Sequence, residues 1–266
     1  MKYRIKSLKR KKLSYKTRGG NKDTDIPLCI YSHSDVFHVL EIQFEYLTKV
    51  FKNTSQKIYL FANKNYDKKS ELTYETILYD DNIPYNKRIL YCINRINCNY
   101  FIISHENDIL LSYSNDIIKK LADTMKTNKI DSIDLKQHEM SIKPIQVTDN
   151  ISITNINNHK YVFNVQPRLW KYSSAVSFFS STPDKTYKSS ENANIQNYLK
   201  TQQITYGMFS KNIIRSTCDF NVLPEYKYMH ITRDGKFINP NTELIDASVK
   251  EEYVNIYNKY IKDSKR

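Results

Sequence analysis

The sequence predicts an α/β fold with a mostly parallel central sheet, helices on both of its faces and a smaller antiparallel element in its second half. Three observations predict it. Short apolar runs alternate with helical patterns between residues 26 and 135, the order expected of βαβ units. The first run is continuously apolar, as a parallel strand buried on both faces is. Three of the runs end in polar or acidic clusters, at 32–35, 80–81 and 105–108. Ligands of such sheets bind beyond the carboxyl ends of strands.

Each element has its own signal. Ile26 to Ser32 (IPLCIYS) is the first strand and ends in Ser32-His33-Ser34-Asp35. A helix follows, because Val36, Leu40, Phe44, Leu47 and Phe51 recur at helical spacing, and Ser34 or Asp35 can cap its start. Lys57 to Ala62 and Thr76 to Tyr79 are the second and third strands. Pro84 sits in the first turn of a helix that runs through Leu90 and Ile93 to Ile96. Tyr100 to Ser104 is the fourth strand. His105-Glu106-Asn107-Asp108 closes it, and the apolar Ile109-Leu110-Leu111 comes next. Ser114 to Thr127 is a helix with Ile117, Ile118, Leu121 and Met125 on one side, and Ile130 to Leu135 is the fifth strand.

The second half is less regular. Ile151 to Ile156 and Tyr161 to Val165 read as antiparallel strands about a turn at Asn157-Asn158. Gln166-Pro167-Arg168-Leu169-Trp170 leads into the apolar Ala175 to Phe179. Glu191 to Gln202 reads as a helix, Tyr226 to Ile231 as a strand, and Asp234-Gly235 as a turn. A long helix from Glu243 to Ile261 packs through Leu244, Val249, Tyr253, Ile256 and Tyr260.

The formal charge of +13 is unevenly placed. Residues 1–22 carry ten Lys and Arg and no acid, and the remainder holds 31 basic against 28 acidic side chains. Residues 1–25 are therefore expected to form a solvated, disordered arm ahead of a single folded domain at 26–266. Such an arm can bind nucleic acid or an anionic membrane surface by counterion release, and it also looks like a nuclear-localisation run. No run approaches the ~18 apolar residues of a membrane span. Met1 to Lys12 lacks the apolar core of a signal peptide, so a cytoplasmic protein is expected. Cys29, Cys92, Cys98 and Cys218 form no CxxC pair and no zinc spacing, and they read as reduced, mostly buried thiols.

The chemistry concentrates at 105–108. Glu106 and Asp108 are two apart, so in an extended segment both carboxylates face the same way. Two hard oxygen ligands at a strand end can hold Mn²⁺ or Mg²⁺ against a nucleotide diphosphate. An ordinary polar loop is the competing reading. A P-loop, GxGxxG, GxSxG and HExxH are missing, and the chain has only four glycines. A nucleotide diphosphate would have to be held by metal and basic side chains.

The succession IPLCIYSHSD, KIYLFAN, YETILYDDNIPYNKRIL, NCNYFIISHENDILL, VFNVQPRLWK, SSENANIQNYL and EYKYMHITRDGKFIN resembles the GT-A glycosyltransferases of large DNA viruses and bacteria. It covers most of residues 26–240. The acidic motif of that family often reads Glu-Asp-Asp or Asp-x-Asp, whereas this chain has Glu-Asn-Asp.

The resemblance implies a GT-A-like, Rossmann-related fold that transfers a sugar from a UDP- or GDP-linked donor to a glycan, protein or small-molecule acceptor. It places Ser32, His33 and Asp35 near the base and ribose, where Asp80 and Asp81 can accept hydrogen bonds. Capping is the alternative for that acid pair. Arg88 would reach toward the diphosphate, with a surface ion pair as its alternative. Gln166 and Trp170 would lie near the sugar, although a lone Trp is commonly core. Glu191 is the candidate base for the acceptor hydroxyl, or else a favourable charge at a helix start. His230 would complete the metal shell with Glu106 and Asp108, while Arg233 and Lys236 neutralise the departing diphosphate. Two further readings stand beside this one: a protein that acts through its basic arm, and a GT-A-like binding module without catalysis.

Overall fold

The computed structural model describes residues 26–67, 71–137, 145–148, 151–155, 163–182, 193–200, 206–211, 226–233, 236–241 and 249–261. The first half alternates as the apolar runs require: β1 (Leu28–Tyr31), α1 (Phe37–Val50), β2 (Ile58–Ala62), β3 (Glu75–Leu78), α2 (Tyr85–Ile93), β4 (Tyr100–His105), β5 (Asp108–Tyr113), α3 (Asn115–Thr127) and β6 (Ser132–Gln137). The second half adds β7 (Ile145–Thr148), β8 (Ile151–Asn155), β9 (Arg168–Lys171), α4 (Tyr172–Ser181), α5 (Ala193–Lys200) and β10 (Tyr206–Lys211). It ends with β11 (Tyr226–His230), β12 (Thr232–Arg233), β13 (Lys236–Phe237) and α6 (Lys250–Ile256), which widens into a π-type turn at Tyr257–Ile261.

Nine strands form one sheet in the order β3-β2-β1-β4-β9-β6-β10-β8-β7. Strands β3, β2, β1 and β4 run parallel, so their carboxyl ends share one edge. Strand β9 is inserted antiparallel between β4 and β6, which places Arg168 opposite Ile103 at that same edge. Strands β6 and β10 pair in parallel, and β8 and β7 continue antiparallel beyond them.

Alternation along the parallel strands divides the core in two. Leu28, Ile30, Leu60 and Ile102 face α1 and α3, where Leu40, Phe44, Leu47, Ile118 and Leu121 meet them. Cys29, Tyr31, Phe61, Phe101 and Ile103 face the opposite way, against Ile89 and Cys92 of α2, Phe178 and Phe179 of α4 and Leu199 of α5. Both faces are covered, which is why these strands are apolar throughout. Each fully buried Leu or Ile contributes about 1.5–3 kcal/mol of transfer free energy.

Helix α1 is buried on a second side that the expected stripe missed. Val39, Ile42 and Tyr46 join Ile109, Met229, Ile231, Tyr253 and Ile256 in a third core under α6. Two further local expectations are corrected, and one strand departs from the large sheet. No side chain caps α1 at Val36; instead His33 caps the single 3-10 turn Ser34–Val36 by accepting the Asp35 N–H. Strand β8 pairs with β7 and β10, and residues 163–165 form a loop, not its partner. Strand β5 leaves the large sheet and makes a separate antiparallel ribbon with β11.

Cys29 and Cys92 are buried thiols and Cys98 is half-buried; none of the three is in a disulfide. Burial pushes the Cys92 thiol up to about 12, which makes it unreactive. No helix among the described residues is long and apolar enough to cross a membrane. Residues 1–25, Glu191, Cys218, the turns at 157–158 and 234–235, and residues 243–248 lie outside the described residues.

Candidate active site at the carboxyl edge of the parallel strands

The ladder continues past the strand ends and fixes the loops that carry polar groups. Ser32 N–H donates to Phe61 C=O, Tyr79 N–H to Ala62 C=O, and Glu106 N–H to Tyr31 C=O. Two clusters stand on this frame.

The first is acidic. A tight turn at Glu106-Asn107 carries the chain from β4 into β5, whose first residue is Asp108. Asp108 is only 2% exposed. It pairs in register with His230, the last residue of β11, and His230 Nδ1 lies 2.8 Å from its carboxylate. The Asn107 side-chain amide donates to Thr232 Oγ1 at 3.1 Å, and Ile231 N–H donates to Asn107 C=O at 3.0 Å. The β12–β13 hairpin that carries Arg233 and Lys236 is thereby tied to the acidic turn.

Glu106 is half-buried at the turn between β4 and β5. Burial pushes its carboxyl up to about 8, and the charge of Asp108 adds to that shift. Its own backbone N–H and the neighbouring Ser32 hydroxyl pull the other way. The Ser32 hydroxyl is buried and makes no hydrogen bond of regular geometry. Among the described residues no basic side chain pairs with Glu106. The carboxyl is thus held in a site that disfavours its charge and offers little to balance it.

The second cluster joins the ends of β1, β2 and β3. His33 Nε2 lies 3.2 Å from Asp81 Oδ2, and the Asn63 amide donates to the same oxygen at 2.6 Å. Asp35 N–H donates to His33 Nδ1 at 3.2 Å, and the Asn63 amide also lies 3.1 Å from His33 Nε2. Arg88, on the first turn of α2, lies 3.4 Å from the other Asp81 oxygen. The guanidinium also donates to the carbonyls of Asp81 and Ile83, stands 3.4 Å from the Tyr31 hydroxyl, and lies over the Tyr79 ring. Arg88 is therefore an ion-pair partner of Asp81 and is not extended toward the acidic turn.

Between the clusters lies an aromatic group that the sequence reading passed over. Tyr31 stacks on Tyr79 and meets Tyr85 and His105 edge-on. His105 Nδ1 lies 3.0 Å from the Val165 carbonyl, which only accepts, so Nε2 accepts from the Tyr85 hydroxyl at 3.0 Å. Burial lowers the His105 pKa against the pull of Asp108. Asn63, Tyr31 and Tyr85 carry no motif; only their positions at strand ends or a helix start could have flagged them.

The other expected residues fall in several places. Gln166 accepts the Tyr228 hydroxyl at 2.8 Å, in the loop that also supplies Val165. Ser32 lies beneath Glu106, not at an exposed ribose site. Asp35 is exposed, and Asp80 binds the backbone and side chain of Asn82 as a turn residue. Trp170 is 0% exposed and packs among Phe163, Phe178 and Phe179. Its place inside a four-residue strand under α4 leaves no ring face for a sugar. Its neighbour Arg168 makes a buried ion pair with Asp134 at 3.4 Å and donates to Ser132 Oγ at 2.8 Å. Lys236 is exposed on the hairpin opposite Arg233 in register. Among the described residues no group of three or more His, Cys, Asp or Glu side chains is arranged to hold a metal ion. The structure brings Asp108 and His230 together and sets Glu106 beside them, without assembling the three as a ligand set.

No family model and no curated protein matches the sequence. The fold does have solved counterparts. A galactosyltransferase, LgtC, in complex with donor and acceptor sugar analogs, is similar over 89% of this chain and 97% of its own, with a TM-score of 0.50 at 11% identity. A UDP-glucose pyrophosphorylase complexed with UDP-glucose is similar over 88% of this chain and 99% of its own, with a TM-score of 0.46 at 11% identity. The similarity to the galactosyltransferase makes this a GT-A-like fold.

Proposed function

We propose that this chain is a glycosyltransferase that moves a sugar from a nucleotide-diphosphate sugar, UDP- or GDP-linked, to an acceptor hydroxyl. The observation that carries the reading is the acidic turn at the end of strand β4, where the half-buried Glu106 stands beside the Asp108–His230 pair. As residue types, two carboxylates and an imidazole suit a divalent cation, although the three are not assembled as a ligand set here; among the described residues no basic side chain pairs with Glu106. Glu106 and Asp108 would hold Mn²⁺ or Mg²⁺, with His230 beside them. Once bound, such an ion supplies positive charge to the diphosphate leaving group.

The chain's own residues do the rest. The Asp108–His230 bond fixes both side chains, so they are oriented before ligand arrives. Lys236 and Arg233 are proposed to bring positive charge to the same turn through the hairpin. Arg88 can bind phosphate only by exchanging its Asp81 contact. Glu191 follows α4 in sequence and is the proposed base for the acceptor hydroxyl. Residues 1–25 are proposed to stand apart from a catalytic body at 26–266.

Glycosyl transfer is favoured over nucleotidyl transfer by the loop after β1. A backbone cradle for a triphosphate needs glycine for close approach. The chain's glycines are Gly19, Gly20, Gly207 and Gly235, and none lies in that loop. A thermal-shift screen of UDP- and GDP-sugars with and without Mn²⁺ tests the reading. Ligand at about 100 times its Kd adds about 2.7 kcal/mol to the native state. A rise in melting temperature is expected with Mn²⁺ and one nucleotide sugar, and a chain trimmed to 23–266 should retain turnover. No response to any nucleotide sugar would overturn the proposal.

A further inference from the structure

Helix α6 is joined to the base of the β12–β13 hairpin by the Tyr253 hydroxyl. Tyr253 is fully buried in the third core, and its Oη donates to the carbonyl of Ile238 and lies 3.3 Å from that of Ile231. These two residues flank the β12–β13 hairpin. Ile238 N–H also donates to Ile231 C=O at 3.1 Å, so Tyr253 grips the hairpin where its strands close. On the other side of the same short segment, Ile231 N–H bonds Asn107 C=O, Thr232 Oγ1 receives the Asn107 amide, and His230 meets Asp108. Residues 230–232 are therefore held between the acidic turn and Tyr253.

The helix that carries Tyr253 is itself braced. Tyr46 of α1 donates to Glu252, and Lys259 binds Glu45 at 2.7 Å. Phe237 of the hairpin meets the ring of His38 at the start of α1. Burial keeps the Tyr253 hydroxyl protonated far above neutral pH, so it acts as a donor throughout.

We propose that Tyr253 is a positioning residue: its hydroxyl sets the β12–β13 hairpin, and through it His230, against the Glu106–Asp108 turn. Its catalytic consequence rests on the glycosyl-transfer reading; the positioning itself does not. A ring alone would fill the core equally well. The hydroxyl adds direction, because only a hydrogen bond distinguishes one hairpin placement from a shifted one.

Tyr253→Phe removes the hydroxyl and keeps the ring. Amide hydrogen exchange, resolved by residue, is the first readout. Exchange at Ile231 and Ile238 should rise at least about tenfold, while Ile30 and Leu60 of the central sheet stay as in the parent protein. Unchanged exchange at the hairpin overturns the proposal. Faster exchange everywhere also overturns it, because the hydroxyl would then serve global stability. Tyr253→Leu is the companion: it should lower the melting temperature well below that of Tyr253→Phe, and equal losses would overturn the division of roles, because the hydroxyl would then carry the global stability and the ring none of it. The second readout is calorimetric binding of UDP and GDP with Mn²⁺, for which Tyr253→Phe should weaken the affinity at least about threefold. Unaltered affinity beside a loosened hairpin would overturn the link to the site. If the parent protein binds neither nucleotide, the glycosyl-transfer reading fails, and the exchange experiment still decides the role of Tyr253.

Discussion

His230 and Asp108 are 122 residues apart in sequence, yet they face each other across the β5–β11 ribbon with 2.8 Å between Nδ1 and the carboxylate. This contact joins the late part of the chain to the end of the central strand. It also gives a buried carboxylate the partner that burial requires. The proposed donor site depends on it, and so do several measurable properties.

If Asp108 and Glu106 hold a divalent cation, UDP or GDP will bind more tightly with Mn²⁺ than without, by at least about tenfold, or ~1.4 kcal/mol. Asp108→Asn should remove that enhancement, since an amide is a weaker ligand and carries no charge. Titration calorimetry of both proteins, with and without Mn²⁺, measures it. Equal metal dependence in the two would move the metal site elsewhere.

Glu106 should leave a signature in stability against pH. Its folded pKa of about 8 lies above the usual carboxylate value near 4.5, because burial disfavours its charge. Between those values the native state binds a proton that the unfolded state releases. Stability from this group is therefore full below about pH 4.5, declines as pH rises from there through about 8, and is lost above it, by at most about 5 kcal/mol. Glu106→Gln should flatten that decline and be more stable than the parent protein at pH 9. Urea unfolding in EDTA at pH 5, 7 and 9 makes the comparison, and parallel profiles would place Glu106 in contact with solvent.

The Arg168–Asp134 pair is buried on both sides, at 1% side-chain exposure each. Arg168→Met should cost about 3–5 kcal/mol, because it leaves the Asp134 carboxylate in the interior without its cation. Arg168→Met with Asp134→Leu should recover most of the loss. Denaturant midpoints of the single and double variants decide between an ion pair that is needed and one that is only tolerated.

The parts of this fold that were legible in the sequence are those with a local cause. Leu28 and Ile30 face one core while Cys29 and Tyr31 face the other, so the run had to be continuously apolar, and IPLCIYS reads as a buried strand. Pro84 and Ser114 mark helix starts because each acts within its own turn. What stayed hidden depends on distant partners. Nothing near Arg168-Leu169-Trp170 says that this strand runs antiparallel between β4 and β6. Nothing near Asp108 says that its strand leaves the large sheet to pair with Tyr226–His230. Trp170 read as a sugar platform because a buried and an exposed ring have the same letter; only Phe163 and Phe178, brought in by other elements, decide the matter. Glu106, Asp108 and His230 were legible as a set of residue types. The pairing of Asp108 with His230 came from the β-ribbon.

The hairpin separates charge from structure most sharply. Lys236 is exposed, and its positive charge would act where diphosphate departs, which should matter more to the transition state than to ground-state binding. Lys236→Ala should therefore lower turnover at least about tenfold, near ~1.4 kcal/mol of barrier, with little change in melting. His230→Ala should lower turnover as much but also melt earlier. Removing the imidazole leaves Asp108, at 2% exposure, without its hydrogen-bond partner, a loss of about 1–3 kcal/mol. Turnover of the nucleotide sugar and scanning calorimetry on the same two preparations distinguish the effects. If Lys236→Ala turned over normally while His230→Ala lost stability alone, the hairpin would be a structural clasp on Asp108, and the leaving group would have to be neutralised by residues outside it.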